Sequence, residues 1–525
     1  MDSEGLNYFT CTLGQAALWK KRPSAPKPTE FPTVLELIDD QGADIPDEPA
    51  LGFADFSADH GVTARSEETQ AGPQHVTFGE LRQRSQSSAA VLSERLGCSP
   101  THEAKGTVGL MCASSLEFVF TWLGLMRLGY TVFLLAPQLE EKAIEHLCAT
   151  SGTDTIFVDR ACRDKVKGLR ETLKILDIPS YNNASENGFS DGASQKSVMA
   201  TYPKTADVAY LRHTSGTSSG LPKPIYQTNW GAVGILPRLR PTGQRPATFS
   251  TTPLYHGGLA DCFRAWAAGA MIWFFPEGIT PVTGANVVQA VEFARSQQGA
   301  AANVGYFTSV PYVLQMLSEA DEGIRLLRSI DLLVDQDVRL VSRMGSAECG
   351  FLLSSERDYA ADKEWQFLRP AATVVADDIL AFEARGDDGL SELVARPGWP
   401  LRAKTNRPDG SYATADLFEA HPSIPDAWRY HSRSDAQIAL GSGKKFDPAP
   451  LEGAILASTR HLRDVLVFGG GRDYPGALLF PSDGGATSES EVVDAAWPAV
   501  QELNRESQSY ARLSKAMLVA VPAGG

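Results

Sequence analysis

A run of hydroxyl-bearing and glycine residues ends at a lysine in the middle of the chain. From Thr214 to Lys223 the sequence reads Thr-Ser-Gly-Thr-Ser-Ser-Gly-Leu-Pro-Lys, and it follows an apolar stretch, Val208 to Leu211, that is typical of a strand. Glycines let backbone N–H groups approach phosphate oxygens, hydroxyls add donors, and a lysine supplies a point charge. The run therefore predicts a polyanion-binding loop, although the Walker pattern G-x-x-x-x-G-K-[ST] is absent.

Four further segments place polar side chains beside small residues. His256 lies in Pro-Leu-Tyr-His-Gly-Gly, Glu348 in Gly-Ser-Ala-Glu-Cys-Gly, and Asp416 in Tyr-Ala-Thr-Ala-Asp-Leu, while Arg433 stands two residues before Asp435. A carboxylate in such a loop can hold a hard cation such as Mg²⁺, or accept hydrogen bonds from two neighbouring hydroxyls. The sequence thus contains candidates for a phosphate cradle, a metal ligand and a ribose clamp.

In this order, the segments resemble the motifs of the adenylate-forming (AMP-binding) superfamily, which includes acyl-CoA synthetases, luciferases and adenylation domains of nonribosomal peptide synthetases (NRPS). The loop resembles T-S-G-T-T-G-x-P-K with one residue more between Thr217 and Gly220, and its Pro-Lys-Pro-Ile ending is most similar to fungal NRPS-like carboxylic acid reductases. The resemblance covers roughly residues 31–520. It implies ATP- and Mg²⁺-dependent activation of a carboxylic acid to an acyl-adenylate, as in fungal secondary metabolism. The acyl group would pass to the phosphopantetheine thiol of a carrier protein supplied in trans, or to coenzyme A.

The resemblance also implies roles for individual residues. Catalytic roles fall to His256, Lys223 and Glu348, with Mg²⁺ held by Thr217 and Glu348, and Asp435 as the hinge. The implied nucleotide-binding residues are Thr214, Ser215, Gly216, Thr217, Ser218, Ser219, Gly220, Lys223, Gly345, Ser346, Ala347, Asp416 and Arg433. The implied acid-binding residues are Tyr255, His256, Gly257 and Gly258.

The residue at position 256 bears on the substrate class. Counting back from Gly269, His256 falls where amino-acid-activating relatives carry an aspartate that pairs with the substrate's α-ammonium group. An imidazole cannot supply that ion pair, so we expect an acid without an α-amino group. Asp261 is the nearest carboxylate and leaves an amine-bearing acid as the alternative.

Several positions depart from the family pattern. Met344 stands where an aromatic residue is usual, and Ala347, Ala415 and Ser432 replace a threonine and two glycines. If position 415 needs a positive φ, alanine there costs about 1 kcal/mol or more. The family usually has a strand, a Gly-Gly-Ala turn and a helix just before the glutamate motif. This chain is about fifteen residues too short there for the loop and helix that such a crossover normally requires.

The family's C-terminal G-K-x-x-R lysine has no match, and Lys515 belongs to a different element. These departures leave two alternatives open beside the carrier-dependent enzyme. One is an acyl-CoA ligase, and the other is a catalytically weakened relative that binds nucleotide or acid.

The elements that would position these residues alternate between strand and helix. We expect strands at 107–111, 131–135 and 155–158, with helices at 115–128 and 140–150 between them. Thr77 and Glu80 have the spacing of a capping box for a helix that extends to Leu92. Strand–helix alternation is typical of a parallel α/β layout, so the fold class is α/β with a large multi-layer N-terminal domain.

Beyond Asp435 the pattern changes to that of a small α+β domain. We expect a helix from Pro450 to Leu462, a strand at 465–468 and a glycine-rich turn at 469–472. The predicted organisation is a loosely held lead-in at 1–30, the large adenylation domain at 31–432 and the C-terminal domain at 433–525.

Bulk composition excludes other classes of protein. A length of 525 residues requires more than one hydrophobic core, and the net charge of −15 disfavours non-specific binding to nucleic acid or anionic membranes. Seven dispersed cysteines without C-x-x-C spacing are typical of reduced thiols in the cytosol. Neither a secretory signal nor an apolar run of about 18 residues is present, so we expect a cytoplasmic protein without a membrane partner.

Overall fold

The computed structural model describes residues 31–54, 75–98, 105–179, 181, 202–214, 222–234, 236, 246–277, 281–330, 341–346, 348–358, 362–370, 379–385, 389–399, 401–434, 438–441, 445–459, 461–482, 488–507 and 509–521. The chain divides into two compact units. The first comprises 1–365, 370–379 and 397–405, and the second comprises 366–369, 380–396 and 406–525. None of the helices in these ranges combines the length and the hydropathy needed to cross a bilayer.

The first unit contains eight α-helices among its described residues. They are α1 (Val34–Asp44), α2 (Phe78–Leu96), α3 (Leu116–Arg127), α4 (Glu141–Ser151), α5 (Leu259–Ala267), α6 (Gly284–Ser296), α7 (Pro311–Ser318) and α8 (Asp321–Ile330). Its strands are β1 (Pro49–Phe53), β2 (His75–Thr77), β3 (Thr107–Met111), β4 (Thr131–Leu135), β5 (Thr155–Val158), β6 (Lys174–Asp177), β7 (Val208–His213), β8 (Pro224–Thr228), β9 (Ala247–Ser250), β10 (Ile272–Phe274), β11 (Val304–Thr308), β12 (Arg343–Ser346) and β13 (Gly350–Ser354).

Two sheets and the helices that pack against them form the core of this unit. A six-stranded sheet has the order β6-β5-β3-β4-β7-β8 and a five-stranded sheet the order β11-β9-β10-β1-β2. Alternate residues of β4 enter different cores: Leu134 shares one with Ile272 of β10, whereas Phe133 packs with Ile144 of α4. Helix α3 is buried throughout Phe118–Arg127 because it shares the first core, between the two sheets. The predicted multi-layer α/β fold is confirmed.

Local sequence signals account for several of these boundaries. Thr77 and Glu80 form both hydrogen bonds of the capping box at the start of α2, which continues to Leu96 rather than ending at Leu92. Ser115 caps α3 by accepting a hydrogen bond from the Phe118 N–H group. Strands β3, β4 and β5 are parallel, as the alternation predicts, whereas β7 and β8 are antiparallel and form a hairpin.

The second unit contains antiparallel strands and a smaller α/β element. Its strands are β14 (Phe367–Leu368), β15 (Leu380–Arg385), β16 (Leu390–Ala395), β17 (Tyr412–Ala420), β18 (Trp428–Arg433), β19 (Ile438–Ala439), β20 (Lys445–Phe446), β21 (Leu462–Phe468), β22 (Gly476–Pro481) and β23 (Leu518–Ala520). Its helices are α9 (Ala449–Ala457) and α10 (Glu489–Glu506). The sheets have the orders β14-β18-β17-β16-β15, β19-β20 and β21-β22-β23.

A second expected helix end, besides that of α2, was also wrong. Helix α9 ends at Ala457, and Leu462, expected at the helix end, is instead the first residue of β21, where it is buried in the core of the second unit. Helix α8 ends at Ile330. The shortened crossover at 331–340 lies outside the described residues.

Strand β17 contains a residue in an unfavourable backbone conformation. Ala415 has φ = +66°, in the left-handed region that L-residues with a Cβ avoid. Its N–H group donates to a Glu392 carboxylate oxygen at 3.0 Å, and its carbonyl accepts from the Ser434 N–H group at 2.7 Å. Position 415 therefore has the positive φ at which an alanine was expected to be costly.

Replacing Ala415 with glycine should stabilise the protein. The left-handed conformation costs an L-residue about 1–2 kcal/mol, and glycine loses about 0.5–1 kcal/mol through its unfolded-state entropy, so we expect a net gain of about 0.5–1 kcal/mol. Urea-induced unfolding would measure this gain. Ala413→Gly in the same strand is the matched control and should destabilise by about 0.5–1 kcal/mol. Equal losses for both variants would contradict the strain assigned to Ala415.

Candidate functional site

The predicted phosphate loop connects the two strands of a hairpin. His213 at the end of β7 pairs with Pro224 at the start of β8. Beyond this pair, the Thr214 N–H group donates to the Lys223 carbonyl at 3.0 Å, and the Lys223 N–H group donates to Thr214 Oγ1 at 3.0 Å. The base of the loop is thus closed on both sides, with the Lys223 side chain exposed. The interior, Ser215 to Gly220, lies outside the described residues.

His213 fixes the first residue of this loop, a role that the sequence reasoning missed. Its Nε2 atom accepts a hydrogen bond from the Ala136 N–H group at 3.2 Å, so the proton is on Nδ1, which donates to the Thr214 carbonyl at 2.9 Å. The residue is only 7% exposed, and burial lowers its pKa although the bond to Thr214 opposes this shift. The sequence did contain a signal for this role, because a histidine stands at the end of a predicted strand, directly before the loop.

The structure brings His256 next to His213. The segment Leu254–Gly258 forms one π-helical turn in which His256 has the non-helical angles φ = −115° and ψ = −112°. The ring centroid of His256 lies 5.9 Å from that of His213 and 4.8 Å from that of Tyr255. The predicted acid-binding histidine and the start of the predicted phosphate loop are therefore neighbours within the first unit.

His256 is uncharged at neutral pH. His256 is exposed, unlike the other residues of Leu254–Gly258, yet its ring packs against the rings of His213 and Tyr255. Desolvation of the ring, followed by the nearby His213 and Arg212 side chains, lowers the pKa of His256 to about 4. A neutral imidazole can donate or accept a hydrogen bond, but it adds no charge that would attract an ammonium group.

Tyr255 is held in a hydrogen-bond network that determines the position of this segment. Its hydroxyl donates to the Glu277 carboxylate and accepts from Gln138 Nε2 at 3.0 Å. The other Glu277 oxygen accepts from the Ser114 N–H and hydroxyl groups at 3.0 and 2.7 Å, and Ser114 Oγ accepts from the Leu254 N–H group at 2.9 Å. Burial and the adjacent Glu277 charge raise the pKa of Tyr255, so its proton remains available to Glu277.

The two predicted glycines of this segment differ in their surroundings. A Cβ atom on Gly258 would lie 2.6 Å from the Thr252 carbonyl oxygen and 2.8 Å from that of Pro253. On Gly257 it would lie 3.1 Å from Thr252 Cγ2, an atom of a side chain that can move. The turn therefore requires glycine at 258 for a close backbone approach, and less strictly at 257.

The predicted magnesium ligand lies at the tip of a second hairpin in the first unit. Strands β12 and β13 pair through Ser346 and Gly350, and Gly350 has φ = +65°. Ser346 Oγ accepts from the Cys349 N–H group at 3.1 Å, and the Glu348 carbonyl accepts from the Ala403 N–H group at 2.7 Å. Within the described residues, the Glu348 carboxylate makes no hydrogen bond or ion pair. Ala347 lies outside those residues.

Asp261, the alternative partner for a substrate amine, is held by arginines. Arg264 of the same helix donates to its carboxylate, and a second arginine, Arg343, lies 3.8 Å away at the start of β12. Ser250 Oγ also donates to Asp261, at 3.3 Å. Burial, then repulsion by Arg264, lowers the pKa of Arg343 to about 9, although Asp261 opposes this shift. The carboxylate is thus already neutralised by its own chain.

In the second unit, the predicted ribose-binding residues are adjacent. Asp416 of β17 pairs in register with Arg433 of β18, and Arg433 Nη1 lies 3.2 Å from Asp416 Oδ1. Asp416 is 5% exposed, and its N–H group donates to Thr414 Oγ1 at 3.1 Å. The structure therefore brings this pair together, and the positive φ of Ala415 defines the backbone before it. The expected hinge, Asp435, lies outside the described residues.

Comparison with known protein families assigns most of the chain to one class. Residues 39–349 match the AMP-binding enzyme family, and residues 435–524 match the AMP-binding enzyme C-terminal domain. Because the first match covers more than half of the chain, the protein belongs to the AMP-binding enzyme family. The predicted resemblance to adenylate-forming enzymes is confirmed.

Among individual relatives, the chain is similar to fungal adenylate-forming reductases. It is 29% identical over 457 residues to the adenylate-forming reductase Nps10 of Heterobasidion annosum. This match covers 79% of the present chain and 40% of Nps10. It is also 24% identical over 477 residues to an adenylate-forming reductase of Aspergillus terreus. This match covers 81% of the present chain and 40% of that reductase. The chain thus spans about two fifths of the length of these relatives.

Solved structures support the fold. The o-succinylbenzoate coenzyme A synthetase of Bacillus subtilis, in complex with ATP and magnesium, is 17% identical with a TM-score of 0.63 and covers 92% of this chain and 95% of its own. The anthranilate coenzyme A ligase AuaEII, in complex with anthranoyl-AMP, is 15% identical with a TM-score of 0.60. The superposition covers 95% of this chain and 94% of the ligase. At these identities the likeness establishes the fold alone.

We expect the turn that contains His256 to tolerate alanine at 257 better than at 258. Gly258→Ala places a Cβ against two backbone carbonyls that cannot rotate away, so it should cost about 1–3 kcal/mol of unfolding free energy. Gly257→Ala meets only a methyl group and serves as the control with a smaller loss. Urea-induced unfolding measures both, and an equal or smaller loss for Gly258→Ala would contradict the described turn.

Proposed function

We propose that this chain activates a carboxylic acid with ATP, forming an acyl-adenylate and pyrophosphate. The observation that carries the proposal is the adjacency of His256 to His213, which anchors the base of the predicted phosphate loop. An oxygen of the acid attacks the α-phosphorus, the bond to the bridging oxygen of the β-phosphate breaks, and pyrophosphate leaves with that electron pair. Lys223 stabilises the negative charge that develops on the α-phosphate during transfer of the adenylyl group.

The described residues fit the nucleotide and the metal ion. The closed base of the 214–223 hairpin presents an exposed lysine next to a hydroxyl- and glycine-rich sequence, which suits a polyphosphate. Mg²⁺ prefers one or two carboxylates together with phosphate oxygens, and the Glu348 carboxylate has no competing partner in the described residues. The bound ion would neutralise charge on the phosphates, with Thr217 as a second ligand. Asp416 and Arg433 are the proposed ribose-binding pair.

The substrate in this proposal is an acid without an α-amino group. Neutral His256 stands where amino-acid-activating relatives carry an aspartate, and the alternative carboxylate, Asp261, is paired with Arg264 and lies close to Arg343. An ammonium group would therefore meet no available negative charge at either position. The proposed acceptor of the acyl group is the phosphopantetheine thiol of a carrier protein, as in NRPS-like reductases, with coenzyme A as the alternative thiol.

A panel of acids in an ATP–pyrophosphate exchange assay tests the reaction and the substrate class together. We expect aryl, 2-oxo or short aliphatic acids to stimulate exchange and proteinogenic amino acids to have no effect. Stimulation by amino acids alone would contradict the substrate class, and the absence of exchange with every acid would contradict the reaction. Addition of coenzyme A or of a phosphopantetheinylated carrier protein then identifies the thiol that discharges the adenylate.

Lys223→Ala should weaken binding of ATP and Mg²⁺. Loss of a charge-assisted contact to phosphate costs about 1.5–3 kcal/mol, which corresponds to a rise of about ten- to a hundredfold in Kd measured by calorimetry. Lys204→Ala, which removes an exposed lysine outside the hairpin, is the matched control and should leave Kd unchanged. Equal ATP affinity for wild type and Lys223→Ala would exclude this lysine from the nucleotide site.

A further inference from the structure

Glu277 connects the two sheets of the first unit. It follows the end of β10 in the five-stranded sheet, and Ser114 follows the end of β3 in the six-stranded sheet. One carboxylate oxygen of Glu277 accepts from both the N–H and the hydroxyl group of Ser114, at 3.0 and 2.7 Å. Glu277 therefore links the carboxyl ends of strands from different sheets, and ligand sites of α/β sheets lie at such ends.

The second carboxylate oxygen of Glu277 holds Tyr255. It accepts a hydrogen bond from the Tyr255 hydroxyl, which in turn accepts from Gln138 Nε2 at 3.0 Å. Both Glu277 oxygens thus accept and neither donates, as in an ionised carboxylate, and hydrogen bonds to an ionised group are the stronger class. Tyr255 is only 1% exposed, so water competes little for its hydroxyl. The direction of the Tyr255 side chain is therefore fixed by Glu277.

The ring of Tyr255 lies against that of His256. The two ring centroids are 4.8 Å apart and the planes meet at 66°, an edge-to-face arrangement. On another side, the His213 ring lies with its centroid 5.9 Å from that of His256. Within the described ranges, no hydrogen bond holds the His256 imidazole. Packing against Tyr255 and His213 therefore sets the orientation of this ring.

A second path from Glu277 reaches the same turn through its backbone. The Ser114 hydroxyl donates to Glu277, and its oxygen accepts from the Leu254 N–H group at 2.9 Å. Leu254 is the first residue of the π-helical turn that contains His256. The turn is thus held at its first residue through Ser114 and at its second through Tyr255, and both paths end on the same carboxylate.

We infer that Glu277 is a positioning residue for the proposed reaction, which holds the His256 ring beside the start of the predicted phosphate loop. The inference rests on the proposed function, because that function assigns His256 to the reacting acid. Glu277 acts through Tyr255 and Ser114 and not by contact with the acid or the nucleotide. A displacement of about 1 Å at a reacting group can cost about a hundredfold in rate, so a residue behind the site can control turnover.

Glu277→Gln is the informative substitution, because it keeps the shape of the side chain and replaces one acceptor with a donor. The single amide oxygen can face Ser114 or Tyr255, but not both. Tyr255→Phe removes the same hydrogen bond from its other side. Tyr181→Phe is the matched control, because it also deletes a buried tyrosine hydroxyl of the first unit, one whose partner Ser88 belongs to helix α2.

ATP–pyrophosphate exchange with an accepted acid measures the effect on turnover. We expect Glu277→Gln and Tyr255→Phe each to lower kcat by about tenfold or more. The KM for ATP should change less, because Lys223 and the base of its loop are untouched. The double variant should keep about the kcat of the more impaired single variant, since both changes break the same hydrogen bond. Tyr181→Phe should leave kcat and KM unchanged, and urea-induced unfolding confirms that each variant is folded.

The NMR signals of the His256 side chain give a readout that needs no turnover, with the spectrum of His256→Gln as the assignment. Desolvation, followed by the nearby His213 and Arg212 side chains, lowers the pKa of His256 to about 4, so the wild-type ring stays neutral between about pH 5 and 8. Once Tyr255 no longer holds its place, water reaches the ring. The pKa of His256 should then rise toward its ordinary value of about 6.5 in Glu277→Gln and Tyr255→Phe.

An unchanged kcat in Glu277→Gln, or losses that multiply in the double variant, would overturn the inference. An equal fall of kcat in Tyr181→Phe would do the same, because it would indicate general destabilisation. If no acid supports exchange in wild type, the proposed reaction fails, while a His256 pKa that rises in both Glu277→Gln and Tyr255→Phe but not in Tyr181→Phe still supports the positioning of this ring by Glu277. An unchanged His256 pKa in the folded variants contradicts it.

Discussion

The candidate site of the first unit depends on the position of one buried, neutral histidine. His213 connects the carboxyl ends of two parallel strands, because it accepts from Ala136 after β4 and donates to Thr214 after β7. A protonated ring could not accept the bond from Ala136, so the arrangement requires neutrality, which burial provides by lowering the pKa. This contact pattern locates the start of the hairpin loop, and the ring of His256 lies beside it, with the two ring centroids 5.9 Å apart.

Local signals in the sequence predict the elements well where the physical cause is local. The capping box of Thr77 and Glu80 and the strands of the parallel sheet follow from residue types and short spacings, whereas the conditional strain at Ala415 came from the resemblance to the family motif. The end of helix α9 could not be predicted in this way. Leu462 has high helix propensity, but burial of its side chain in the core of the second unit places it in β21, and tertiary packing overrides propensity.

The parts of the site that sequence reasoning missed involve residues far apart in the chain. Glu277 holds Tyr255 and Ser114 together, and nothing near any of the three residues indicates the other two. Asp261 is a second case in which contacts between distant residues could not be predicted from the sequence. As a sequence position it was a candidate for binding an amine, but the fold pairs it with Arg264 three residues later and brings Arg343 close. That Asp261 is already paired becomes visible only in the fold, where β12 brings Arg343 close to α5.

In the second unit, an unusual backbone conformation precedes a proposed binding residue. Asp416 lies in a regular antiparallel pair with Arg433, yet the residue before it adopts φ = +66°. Glycine adopts this conformation at the least cost, whereas this chain holds it with alanine and two hydrogen bonds to the Ala415 backbone. A strained conformation persists only where its surroundings determine it, and such positions cluster at functional sites. The strained Ala415 sets the backbone direction immediately before Asp416, the proposed ribose-binding residue.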